Sequence, residues 1–204
     1  MEALRERRLK QLQRAQKQRQ EYRTIGHGEY KDLNPGQHGG DTTRAFFDAA
    51  KKSKRMVVHF YRPTTRYCDV VHARLDKLAP KYLEARFVKI NVESGADYLV
   101  EKLGIVVMPT IILVKDGKVL HHIRGFDELG GTDEFSTELL AWFISQYEVI
   151  NYVGDMPEEI MQGQRRPKGV NSLNMRMMEE YGESYKSSTV RRGIHEPDDI
   201  DNEN

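Results

Sequence analysis

Residues 56–68, Met-Val-Val-His-Phe-Tyr-Arg-Pro-Thr-Thr-Arg-Tyr-Cys, do most to limit what this chain can fold into. The β-branched and aromatic opening of the stretch reads as a buried strand, 55–61. Pro63 then breaks the run. Cys68 opens an amphipathic segment over 69–82, with Val70, Val71, Leu75, Leu78 and Ala79 on one face. Pro80 is expected to end that helix early. The order is strand, turn, helix, with a cysteine at the turn's exit. Forty positions beyond it, Met108-Pro109-Thr110 precedes the apolar run 111–114, so Pro109 stands at the first residue of another strand, where a missing N–H is tolerated.

The rest of the chain arranges itself around these two pieces. Residues 41–52 carry a capping Asp41 or Thr42 and an inner face of Phe46, Phe47 and Ala50. A strand follows at 87–92, then a short helix lined by Tyr98, Leu99 and Leu103 and closed by Gly104. Asp116-Gly117 joins strands 111–114 and 119–123 as a hairpin. Thr132 or Asp133 is expected to cap a last helix with Phe135, Leu139, Trp142 and Phe143 inward. The sum is an α/β fold, a central mixed sheet with helices on both faces. We therefore expect a charged N-terminal helix over 1–24, a hinge over 25–40 with an edge strand at 29–33, a domain over 41–152, and a mostly disordered tail over 153–204 with a helical turn around 175–181.

Composition supports one core with solvated arms: 31% of residues are charged and the mean hydropathy is −0.70. Charge is segregated, +5 over residues 1–23 and −3 over 191–204, while the net for the whole chain is only +1. No strongly basic body exists to argue for nucleic acid, and no apolar run approaches the ~20 residues of a membrane helix. A single cysteine forbids an intrachain disulfide and fits a reducing compartment. The N-terminus, with Arg5, Arg7 and Arg8, has no apolar core of a signal peptide.

The strand-turn-helix ending in cysteine, the X-Pro-Thr and the Lys115-Asp116-Gly117-Lys118 turn together resemble the thioredoxin fold. Aligning Cys68 with the second cysteine of that fold's Cys-x-x-Cys puts Thr65 where the attacking thiol belongs, Arg66-Tyr67 between them, and His59 where redox-active members carry a buried acid. Pro109 then resembles the fold's cis-proline. The flanks Gly26-His27-Gly28-Glu29-Tyr30, His59-Phe60-Tyr61-Arg62 and Gly125-Phe126 narrow the resemblance to the phosducin-like family, over roughly the first 152 residues. That resemblance implies a redox-inactive co-chaperone of the cytosolic ring chaperonin (CCT/TRiC), modulating its ATPase and the folding of actin and tubulin. It implies a cytoplasmic location, with nuclear or centrosomal sites besides.

With Thr65 in the first position, dithiol exchange is excluded on stoichiometry. The alternative is a monothiol redox regulator or thiol-transfer protein acting through Cys68. No catalytic residue, cofactor, nucleic acid or membrane partner is expected. Cys68 and His72 share a helix face with His59 on the neighbouring strand, but nothing completes a metal site, and an exposed His72 and a core-edge His59 are the simpler expectation. His121 and His122, adjacent on a strand, point to opposite faces. Binding is assigned by exposure and charge to Arg5, Arg7, Arg8, Lys10 and Arg14 on the first helix and to Arg62 and Arg66 beside the degenerate site.

Overall fold

In a computed structural model, residues 2–33 and 41–161 are described. Five strands form one sheet in the order β1-β3-β2-β4-β5: β1 (Tyr30–Asp32), β2 (Arg55–Tyr61), β3 (Arg86–Asn91), β4 (Thr110–Lys115) and β5 (Lys118–Arg124). Strands β1 and β2 flank β3 in parallel, whereas β4 runs antiparallel to β2 and β5 antiparallel to β4. Central β2 is buried from Met56 to Phe60. Its alternation divides the core. Met56, Val58 and Phe60 join Val88, Ile90, Ile112 and Val114 against Phe46 and Ala49 of α2 (Thr42–Lys52) and Leu99 of α4 (Asp97–Lys102). Val57, His59 and Tyr61 turn to the opposite face, that of α3 (Arg66–Leu78), which packs on α5 (Thr137–Ser145). Helices thus cover both faces of a mixed sheet.

Several local expectations need correction. Asp41 does cap α2, accepting 2.8 Å from Thr43 N, but Phe47 is 44% exposed. Phe46 and Ala49, three apart, leave Phe47 on the outer side and in edge contact with Phe46. Tyr98 likewise faces outward, and only Leu99 of α4 is buried. Neither Thr132 nor Asp133 caps the last long helix. Ser136 does, its Oγ accepting 3.0 Å from Leu139 N, so the buried Phe135 lies before the helix. Helix α3 starts at Arg66, earlier than the amphipathic pattern, and ends at Leu78 as Pro80 approaches.

Helix α1 (Glu2–Thr24) precedes the domain. The chain leaves it through Gly26 and Gly28, both at positive φ, a conformation that favours glycine, and a Cβ at Gly28 would also press Leu83 Cδ2 at 2.8 Å. The packed region also runs further than 152. Ile160, in the four-residue helix α6 (Glu158–Met161), is buried. The remainder of the expected tail, with its helical turn at 175–181, lies outside the described residues.

Candidate functional site

β2 delivers His59 and Tyr61 to the α3 face and then releases the chain through Arg62-Pro63-Thr64 into α3. Thr65 sits at the N-cap of α3, its carbonyl accepting 2.9 Å from Cys68 N, and its hydroxyl makes no capping bond. Cys68 is on the first turn of α3, 1% exposed. Burial pushes its thiol up from the ordinary range; a backbone hydrogen bond at Arg62 only partly opposes this, and Asp69 adds to the rise. A sulfur held protonated and covered is a poor nucleophile. The Met108–Pro109 bond is cis. Thr110 Oγ1 donates 2.6 Å to Val107 O, and Gly125 N donates 2.8 Å to Pro109 O, which joins the proline loop to the end of β5.

Around this buried centre the rim is apolar and basic. Val106 is 86% exposed and Val107 and Tyr67 about half. Tyr67 meets the Phe126 ring edge-on at 5.6 Å, and Phe126 leans on buried Phe135 at 5.3 Å. Arg66 is exposed, while Arg62 pairs with Glu93 at 3.1 Å. The other basic residues singled out in the sequence, Arg5, Arg7, Arg8, Lys10 and Arg14, stand exposed on α1, a separate element.

Beneath the turn lies a polar cluster of which sequence reasoning saw the nearness of His59 and His72 but not the tyrosine that joins them. His59 is fully buried and His72 is half-buried, neither being the edge or exposed histidine expected. Tyr30 Oη lies 2.6 Å from His59 Nδ1 and 2.9 Å from His72 Nδ1. One hydroxyl proton serves both contacts only if the oxygen accepts from one imidazole and donates to the other. Among the described residues His59 Nε2 has no partner, and a bare acceptor there costs less than a bare N–H. His59 Nδ1–H therefore donates to Tyr30, and Tyr30 donates to His72 Nδ1. Burial lowers the proton affinity of both histidines, reinforced by the neighbouring Lys89, and burial likewise pushes the Tyr30 hydroxyl up. Tyr61 extends the cluster, donating 2.8 Å to Asp32 Oδ2. Among the described residues no group of three or more His, Cys, Asp or Glu side chains is placed to hold a metal ion.

A second histidine anchors the other end of the same segment. His27 is 3% exposed, stacks on Tyr22 of α1, donates from Nδ1 to Leu83 O at 2.7 Å and accepts at Nε2 from Ser53 Oγ at 2.8 Å. Its sequence signal was the glycine on either side.

Comparison with known proteins agrees with this geometry. The thioredoxin family profile matches residues 40–135. Mouse thioredoxin domain-containing protein 9 is 40% identical over 189 residues, which is 93% of this chain and 80% of that protein. The chain belongs to the phosducin-like, thioredoxin domain-containing protein 9 family. Phosducin-like protein 3 of Drosophila melanogaster is 40% identical over 156 residues, 76% of this chain and 68% of its own. Among solved structures, spinach chloroplast thioredoxin f is 22% identical, covering 63% of this chain and 93% of its own with a TM-score of 0.49.

Proposed function

We propose that this protein is a co-chaperone of the cytosolic ring chaperonin CCT/TRiC, modulating its ATPase and the folding of actin and tubulin, with a thioredoxin-like domain that does no redox chemistry. It works in the cytoplasm and is not an enzyme. One observation carries the binding half of this reading: the domain has the thioredoxin fold, while its only thiol is buried with a raised pKa and no second thiol stands at Thr65. Membership of the phosducin-like family supports the choice of partner. The exposed α1, the Arg62/Arg66 rim and the domain are three separate surfaces, so weak contacts at each would add through effective concentration.

The test is a mass-photometry titration of purified chain against purified cytosolic chaperonin, with and without residues 1–23. A saturable complex that weakens without α1 is expected. No complex at concentrations on the order of tens of micromolar, where binding is weaker than about 7 kcal/mol, would overturn the reading. Thiol labelling at neutral pH separates it from monothiol chemistry through Cys68. We expect labelling slower than that of an unfolded control, and Cys68→Ser binding the chaperonin like the native chain.

A further inference from the structure

The arginines of α1 are not spread evenly around the helix. Counting in sevens from Arg5, the spacing of a helix paired along its length, the central seam is Arg5, Arg8, Leu12, Ala15, Arg19 and Tyr22. Leu4, Leu9 and Arg23 flank it, the other flanking positions are glutamines, and no acidic residue falls on the seam or its flanks from Leu4 to Arg23. Glu6 and Glu21 stand on the remaining positions with Arg7, Lys10, Arg14 and Lys17, and there Glu6 and Lys10 close an ion pair at 2.6 Å. Every side chain from Leu4 to Glu21 is exposed, Leu12 by 61%.

Three occupants fit this seam poorly. A helix lying on a membrane separates its leucines from its cations, and here the two share one face. A second copy of α1 would press arginine on arginine: Arg5 on Arg5 and Arg8 on Arg8 if parallel, Arg8 on Arg19 if antiparallel. A nucleic-acid backbone reads charge alone, and the opposite side offers four cations as well. We propose that the seam docks on an acidic helix of a partner protein, with carboxylates opposite Arg5, Arg8 and Arg19 and an apolar side chain opposite Leu12. Guanidinium groups match carboxylates two bonds at a time, and their aliphatic stems cover apolar surface alongside the leucines. This goes beyond the chaperonin reading, since it fixes the chemistry of the surface α1 meets and stands on α1 alone.

The test titrates the full chain, by fluorescence anisotropy, into a labelled synthetic amphipathic helix carrying Glu at one core position of each heptad and Leu at the other. Two variants change charge equally: Arg5→Glu/Arg19→Glu on the seam, and Gln13→Glu/Lys17→Glu/Gln20→Glu off it. A third, Arg5→Gln/Arg8→Gln/Arg19→Gln, removes the seam charges with good helix formers, and circular dichroism verifies its α1. The native chain and the off-seam variant are expected to bind within about twofold of each other, and both seam variants to lose about tenfold or more. Equal loss on and off the seam, no loss on it, or no binding by the native chain overturns the proposal. So does tighter association with phosphatidylserine vesicles than with the peptide. Peptide binding without chaperonin binding removes only the chaperonin reading.

Discussion

Helices α1 and α3 are both rich in charge, yet one is fixed by the fold and the other is left to solvent. In α3 the residues Cys68, Val71, Leu75 and Leu78 recur at three- and four-residue spacing and are all buried, while the charges lie elsewhere. In α1 the leucines share their face with arginines, and from Leu4 to Glu21 no side chain is buried. The contrast separates scaffold from arm, because most helix stability in proteins comes from packing an apolar face. Its largest test compares two leucines. Leu75→Ala removes a fully buried side chain and should cost about 2–5 kcal/mol in urea unfolding, whereas Leu12→Ala should stay within about 0.5 kcal/mol. Comparable losses at both positions would mean that α1 is part of the core.

Between these extremes lies the segment that ties α1 to the domain, and it is held by polar groups. Tyr30→Phe leaves His59 Nδ1 and His72 Nδ1 without their shared partner, and a loss of about 1–3 kcal/mol is expected. Tyr98→Phe, at a tyrosine 55% exposed, serves as the neutral control. If the two behave alike, the cluster contributes nothing to folding.

The same anchors set a pH dependence. His27, His59 and His72 all hold protons less tightly when folded than the usual 6.5, each chiefly through burial. Below about pH 6.5 the unfolded chain therefore binds more protons than the native one, so stability rises with pH through that window. The contribution is complete above it and is lost as the pH falls. For His27 the Leu83 carbonyl opposes the burial most, Arg86 lowers its proton affinity further, and Glu84 opposes this in turn. His27→Gln, which cannot take up that proton, should lose less stability than the native chain between about pH 7.5 and pH 5.5, measured by urea unfolding at each pH. Equal losses would show that His27 does not titrate with unfolding.

How much of this was visible beforehand depends on how local each signal is. Strand β2, the Asp116-Gly117 turn at φ 50° and 76°, and the Asp41 cap each follow from a few neighbouring residues. Phe47 and Tyr98 were misplaced because an aromatic beside a buried position reads as core whichever way the helix turns. Of the polar cluster, only the nearness of His59 and His72 was legible. Tyr30 meets His59 and His72 across 29 and 42 residues, and His27 reaches Leu83 across 56, so these partners exist only once β1 pairs with β3 and α3 covers the sheet. At the turn into α3 the absence of a second cysteine could be read from the sequence, but the covered state of Cys68 came only with the fold.

The smallest expected effect sharpens the contrast most. Gln13 lies off the arginine-leucine seam of α1 and is exposed, so Gln13→Gly removes no contact and adds only the cost of glycine inside a helix, somewhat under about 1 kcal/mol. In a helix welded to the core that cost would appear in global unfolding. In α1, whose side chains meet the domain through Tyr22 on His27, it should appear instead as lost helical circular dichroism and faster amide exchange over residues 5–20, with the urea midpoint of the domain unchanged. A shifted midpoint would show that arm and domain unfold as one unit, and the division between scaffold and docking helix would then have to be redrawn.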